Sequence, residues 1–319
     1  MARTDLSEPI GLWARPHIVF LAIAFGFSWV FWILSWVVAQ NLEAGDQLFN
    51  ADLVWGLFFE DQASTTVVWL SLLSLVGVYG PMIGGIVATR LDPSATSEAL
   101  WRKIRRVGVG ARVYGLVIGI LLLVAGPAAL IVALTADIIP DAPGVGTVAV
   151  FLLVFFVFQM LTSGTEEIGW RGYLNEKLRH GRDFWDTGWA VGVPWAVWHF
   201  PVVVFIFLGQ GLEPAAIIGS LAGFSIGIVA AAMLHAWFYE RTESVFLNIF
   251  IHAIFNTLPL ATVLLFEASP AAVIANLALW AVVIYLRRQS QRETPDMPDQ
   301  VSASFPGPTA PPTRPARPL

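Results

Sequence analysis

Long apolar runs fill most of the chain and decide what it can fold into. Eight can be marked out, at 18–39, 66–89, 113–136, 148–163, 188–208, 215–239, 245–266 and 271–286. Each approaches the ~20 apolar residues that carry a helix across about 30 Å of hydrocarbon; the fourth is short unless the next segment extends it. Pro194 and Pro201 break the fifth. Only 13% of the 319 residues are charged, against about 25% in an ordinary soluble domain. The expected fold is all-α: a polytopic membrane protein of about eight transmembrane helices enclosing an intramembrane polar cavity.

Charge in the connecting segments follows a rule. Glu43, Asp46, Asp52, Glu60 and Asp61 share the first connection with no Lys or Arg, whereas the next holds Arg90, Arg102, Lys103, Arg105, Arg106 and Arg112. Asp137 and Asp141 stand alone in the third, and Arg171, Lys177, Arg179 and Arg182 follow in the fourth. Glu213 and Glu267 mark two further base-free connections, while Arg241, Arg287, Arg288 and Arg292 lie in the alternate ones. Basic segments face the cytoplasm, so the alternation puts both termini there. The chain divides into a cytoplasmic N-terminal segment (1–16), a transmembrane domain (17–287) and a Pro-rich cytoplasmic tail (288–319), too polar to bury a core and expected to be disordered. The run at 18–39 is too long for a signal-peptide core, so it reads as a first span. The absence of cysteine excludes disulfides and thiolate chemistry, and a net charge of −5 carries no nucleic-acid signature.

One stretch breaks the separation of charge from apolar runs. Thr162 to Gly172 carries Glu166, Glu167 and Arg171 directly after the fourth run. Ionisable groups in hydrocarbon persist where they pair, line a cavity or do chemistry. On a helix Glu167 and Arg171 share a face one turn apart, acid first, the favourable order for an ion pair. Glu166 points about 100° away and lacks that partner.

Two histidines lie inside spans. His199 follows Trp195 by one turn, and His252 precedes Asn256 by one turn on a common face. His17 and His180 fall at span ends or in connections, and His235, near the cytoplasmic end of the sixth run, reads as interfacial packing. A carboxylate base, two imidazoles and an amide make a hydrolytic set: the base takes a proton from water and the others donate toward an oxyanion.

Glu166-Glu167-Ile168-Gly169-Trp170-Arg171, Trp195 to His199, and His252 to Asn256 follow one another on successive spans as Glu-Glu-x-x-x-Arg, Phe/Trp-x-x-x-His and His-x-x-x-Asn/Asp. In that order they resemble the CAAX prenyl endopeptidase and bacteriocin-processing family of intramembrane proteases (the CPBP or Abi family), with a core over about 148–266. The resemblance implies that Glu166 with His199 activates a water, that His252 and Asn256 bind the oxyanion, and that Glu167 and Arg171 brace the site. It implies a membrane-associated, CAAX-type peptide substrate. Members are often described as metallopeptidases; with no His-Glu-x-x-His, zinc would need Glu166, His199 and His252 gathered from separate helices. Glutamate chemistry without a metal is the preferred reading, with zinc left open.

Two other classes remain in view: a non-catalytic binding, immunity or scaffold protein, and a proton-coupled transporter. Gly223-Phe224-Ser225-Ile226-Gly227 imitates a serine nucleophile motif but lies inside an apolar run, where the glycines read as a helix-packing face. Gly80/Gly84 and Gly188/Gly192 read the same way, and Trp170 lines either a pocket or the membrane interface.

Overall fold

A computed structural model describes residues 15–42, 65–135, 144–265 and 271–293. Within these the chain is helical, with no strand among the described residues. Helix α1 (Pro16–Asn41) packs along α2 (Thr65–Gly77) and α3 (Gly80–Leu91). A short surface helix, α4 (Ser97–Ile104), leads to α5 (Ala111–Thr135). Then come α6 (Val145–Leu161), a 3-10 turn (Ser163–Thr165) and α7 (Glu166–Gly169), followed by a π-helical segment (Trp170–Asn175) and α8 (Glu176–Leu178). The second half is α9 (Phe184–Trp198), α10 (Phe200–Gly209), α11 (Pro214–Thr242), α12 (Val245–Leu265) and α13 (Ala271–Glu293).

Five helices are long and apolar enough to cross a membrane, or six if the bent pair α9–α10 is one span, so a count of eight is not reached among the described residues. The shortfall lies at the C-terminal end. Among the described residues the apolar stretch of α12 counts only as Val245–Leu260, and α13 is not counted. The last helix ends in Arg287, Arg288, Arg292 and Glu293. The fourth span is extended as expected: the apolar stretch runs from Val145 through the motif to Leu178. Residues 1–14 and 294–319 lie outside the described residues, as do the acidic connections at 43–64 and 136–143 and Glu267, so the expectations for the termini and those loops fall there too.

Two close helix approaches set the frame. A Cβ on Gly188 would stand 2.7 Å from Met233 Cα, and one on Gly192 would stand 3.0 Å from Val229 Cα, so α9 lies against α11 backbone to backbone. This is the small-residue face expected from the sequence. On the other side, a Cβ on Gly85 of α3 would meet Gly169 Cα at 2.6 Å, and one on Gly169 would overlap the Pro81 carbonyl. That crossing fixes the motif helix against α3. Between the two contacts lies a core of Phe20, Trp170, Trp195, Trp198 and Met233.

Candidate active site

The Glu-Glu pair enters on α7, where a single α turn gives way to the π segment. Glu166, Glu167 and Arg171 are all buried, at 2%, 0% and 0% exposure, so each needs a partner or a function. Glu167 has partners on two other helices as well as its own. Its Oε2 lies 3.1 Å from Arg171 Nε, the ion pair expected from the spacing, and 3.5 Å from His235 Nδ1 of α11. Its Oε1 accepts from His252 Nδ1 of α12 at 2.8 Å. Glu167 is therefore the clasp that ties α7, α11 and α12 together.

Glu166 is held differently. Its Oε2 accepts the indole N–H of Trp195 at 3.0 Å. Trp195 sits on α9 one turn before His199, and His199 occupies the single residue between α9 and α10, where the axis bends by 45°. Pro201 supplies a reason for the break, since it cannot donate a backbone hydrogen bond. The His199 Nδ1–H donates to Trp195 O at 2.8 Å, which leaves Nε2 as the unprotonated nitrogen.

The Trp195 ring is the common neighbour of the set. The Arg171 guanidinium stacks 4.3 Å from its centroid, and the rings of His252, His199 and His235 stand 5.5, 5.8 and 5.8 Å away. Trp170, fully buried, packs beside it at 6.4 Å, so it lies in the interior and not at the membrane interface. Glu166, Glu167, Arg171, His199 and His252 thus meet around one indole.

Asn256 behaves otherwise. It lies at the exposed end of the α12 face, and its Nδ2 donates to Gln159 Oε1 of α6 at 2.9 Å. An amide nitrogen has two hydrogens, so one N–H remains for another acceptor. In the sequence Gln159 carries no signal beyond being a polar residue in an apolar run, and His235 is not the interfacial packing residue that its position suggests. That histidine is fully buried inside the cluster, with Nδ1 2.9 Å from Asn248 Oδ1. The spacing Asn248, His252, Asn256, one residue per turn, was the available clue.

Ser225 stands apart from this set. Its hydroxyl donates to Leu221 O at 2.7 Å within its own helix. Gly227 packs against the Asn276 side chain, while Gly223 faces open space, so half of the expected packing face is realised. As for a metal, no group of three His, Asp or Glu side chains able to hold an ion occurs among the described residues. His252 Nδ1 is committed to Glu167 and His199 Nδ1 to Trp195 O. Each imidazole therefore keeps Nε2 for another partner, and the three side chains expected for zinc do not form such a group as arranged.

Below the cluster a polar patch joins the two basic connections. Lys177 pairs with Asp92 at 2.7 Å, Lys103 with Glu176 at 2.8 Å, and Tyr173 donates to Asp92 Oδ2 at 3.2 Å. Burial alone would raise the Asp92 carboxyl, but Lys177 and the Ser94 donors outweigh it and hold it at about 2. These contacts anchor the π segment to the connection after α3.

Residues 147–258 match the family model described as type II CAAX prenyl endopeptidase Rce1-like. A CAAX prenyl protease 2 of Methanococcus maripaludis is 26% identical over 110 residues, covering 33% of this chain and 39% of that protein. The chain therefore aligns with about two-fifths of that relative's length. The match contains the Glu-Glu pair, Trp195, His199, His252 and Asn256. Over residues 147–258 the chain is therefore similar to the type II CAAX prenyl endopeptidases of the Rce1-like family.

Proposed function

We propose that the protein is an intramembrane endopeptidase that hydrolyses a peptide bond of a membrane-associated, CAAX-type lipidated substrate. The observation that carries this reading is the meeting of Glu166, His199 and His252 around Trp195, from three separate helices. Glu166, the carboxylate not engaged by Arg171, takes a proton from a water that His199 Nε2 helps to hold. The hydroxide attacks the scissile carbonyl carbon, and the carbonyl electrons move to oxygen. His252, held as the imidazolium by Glu167, donates its Nε2–H to that oxyanion together with the free N–H of Asn256. Collapse breaks the C–N bond, and Glu166 returns its proton to the leaving amine.

Glu167 and Arg171 act as braces: the carboxylate orients His252, and the guanidinium stacks on the indole that holds Glu166. The site opens to the cytoplasm in this reading, with both termini on that side. Support comes from the basic residues Lys103, Lys177 and Arg179, grouped around the C-terminal end of the motif.

The test uses the full chain in lipid nanodiscs with a farnesylated peptide ending in a CAAX sequence. Mass spectrometry should show release of the C-terminal tripeptide, with the rate retained after treatment with a zinc chelator. An intact peptide after prolonged incubation would contradict the activity, and chelator-sensitive cleavage would contradict the metal-free mechanism.

A further inference from the structure

His235 lies on α11 with no exposed surface, among side chains that the proposed hydrolysis already uses. Its Nδ1 is 2.9 Å from Asn248 Oδ1 and 3.5 Å from Glu167 Oε2. The Asn248 amide is oriented by its own Nδ2, which donates to Ser244 O at 2.8 Å, so oxygen is the atom that faces the imidazole. An amide oxygen only accepts. Nδ1 therefore carries the hydrogen, and Nε2 carries a lone pair.

That Nε2 is buried and has no hydrogen-bond partner. The rings of Trp195, His252 and Phe255 surround the imidazole, with centroids 5.8, 6.1 and 6.1 Å away. A buried acceptor without a donor is costly. Packing alone would be served by leucine without that cost, and without an asparagine to fix the tautomer.

We infer that His235 is a further binding residue of this site, its Nε2 accepting a hydrogen bond from an N–H or O–H donor that arrives with the substrate or with the reacting water. This rests on the endopeptidase reading. A peptide entering an apolar site brings backbone N–H groups that must find acceptors. The unpartnered Nε2 beside His252 is such an acceptor.

Imidazole nitrogen-15 spectra of the full chain in nanodiscs test this, with Glu166→Gln present to prevent turnover and His235→Gln supplying the assignment. The expected spectrum has a protonated Nδ1 and an Nε2 signal displaced by an incoming donor. Displacement only with the farnesylated peptide identifies a peptide N–H; displacement without peptide identifies water. A bare Nε2 under both conditions, or a proton on Nε2, overturns the inference.

Kinetics give a second readout. If the donor is a peptide N–H, His235→Leu should raise KM about tenfold and change kcat little. If the donor is water, it should lower kcat about tenfold with KM retained. Wild-type values for both constants would overturn the inference. A wild-type chain that cleaves no peptide would remove the endopeptidase reading separately, and the peptide-free spectrum would still decide whether His235 holds a donor.

Discussion

Trp195 donates its indole N–H to Glu166 Oε2 at 3.0 Å, joining the aromatic of the second motif to the carboxylate of the first. Hydrogen bonds to a charged group contribute about 1.5–3 kcal/mol. Trp195→Phe keeps an aromatic ring in the centre of the cluster and deletes that donor. The expected result is a loss of about 10- to 100-fold in kcat/KM on the farnesylated peptide, with the helix content of the wild type. Unchanged kinetics would show that the contact does not set the position of Glu166.

The Glu167–Arg171 pair is fully buried, with each side chain at 0% exposure. Removing one member leaves an uncompensated charge, at a cost of about 3–5 kcal/mol. Arg171→Met should therefore lower the thermal midpoint in detergent markedly, whereas Glu166→Gln should leave it near wild type. Equal midpoints for Arg171→Met and wild type would remove the bracing role.

How much of this could be read from the sequence varies with the residue. The Glu167–Arg171 pair and the separate orientation of Glu166 follow from helical spacing alone, and both are present in the structure. The helical class follows from the length of the apolar runs. His235 was misread because its depth depends on how α11 lies against α9, which the glycines Gly188 and Gly192 decide in three dimensions. Gln159 could not be paired with Asn256 because 97 residues separate them and no periodicity links two helices.

The crossing of α3 and α7 leaves no room at Gly169, where an added Cβ would overlap the Pro81 carbonyl. Gly169→Ala should abolish activity and reduce recovery of folded protein. Gly119→Ala on α5 is the contrast, since nothing lies within 4 Å of its added Cβ. There the better helix propensity of alanine should stabilise by up to about 1 kcal/mol. Thermal unfolding of the two variants checks both signs.

Asp92 predicts a pH dependence. Its carboxyl is held at about 2, below the ordinary 3.8, so its contribution to stability is fully present above about pH 4 and is lost as pH falls through 2. Allowing for solvent around the half-buried Lys177, that contribution is about 1–2 kcal/mol. Asp92→Asn should be destabilised relative to wild type at pH 7, and the difference should shrink between pH 4 and pH 2. A constant difference over that range would mean that the Lys177 pair is not its source.

The most direct measurement compares Glu166→Gln with wild type in the peptide-cleavage assay, both chains having the same thermal midpoint. An amide cannot take a proton from water, so kcat should fall by about 10²–10⁴-fold or more, with KM little changed. Activity within a few-fold of wild type would contradict the claim that Glu166 generates the attacking hydroxide.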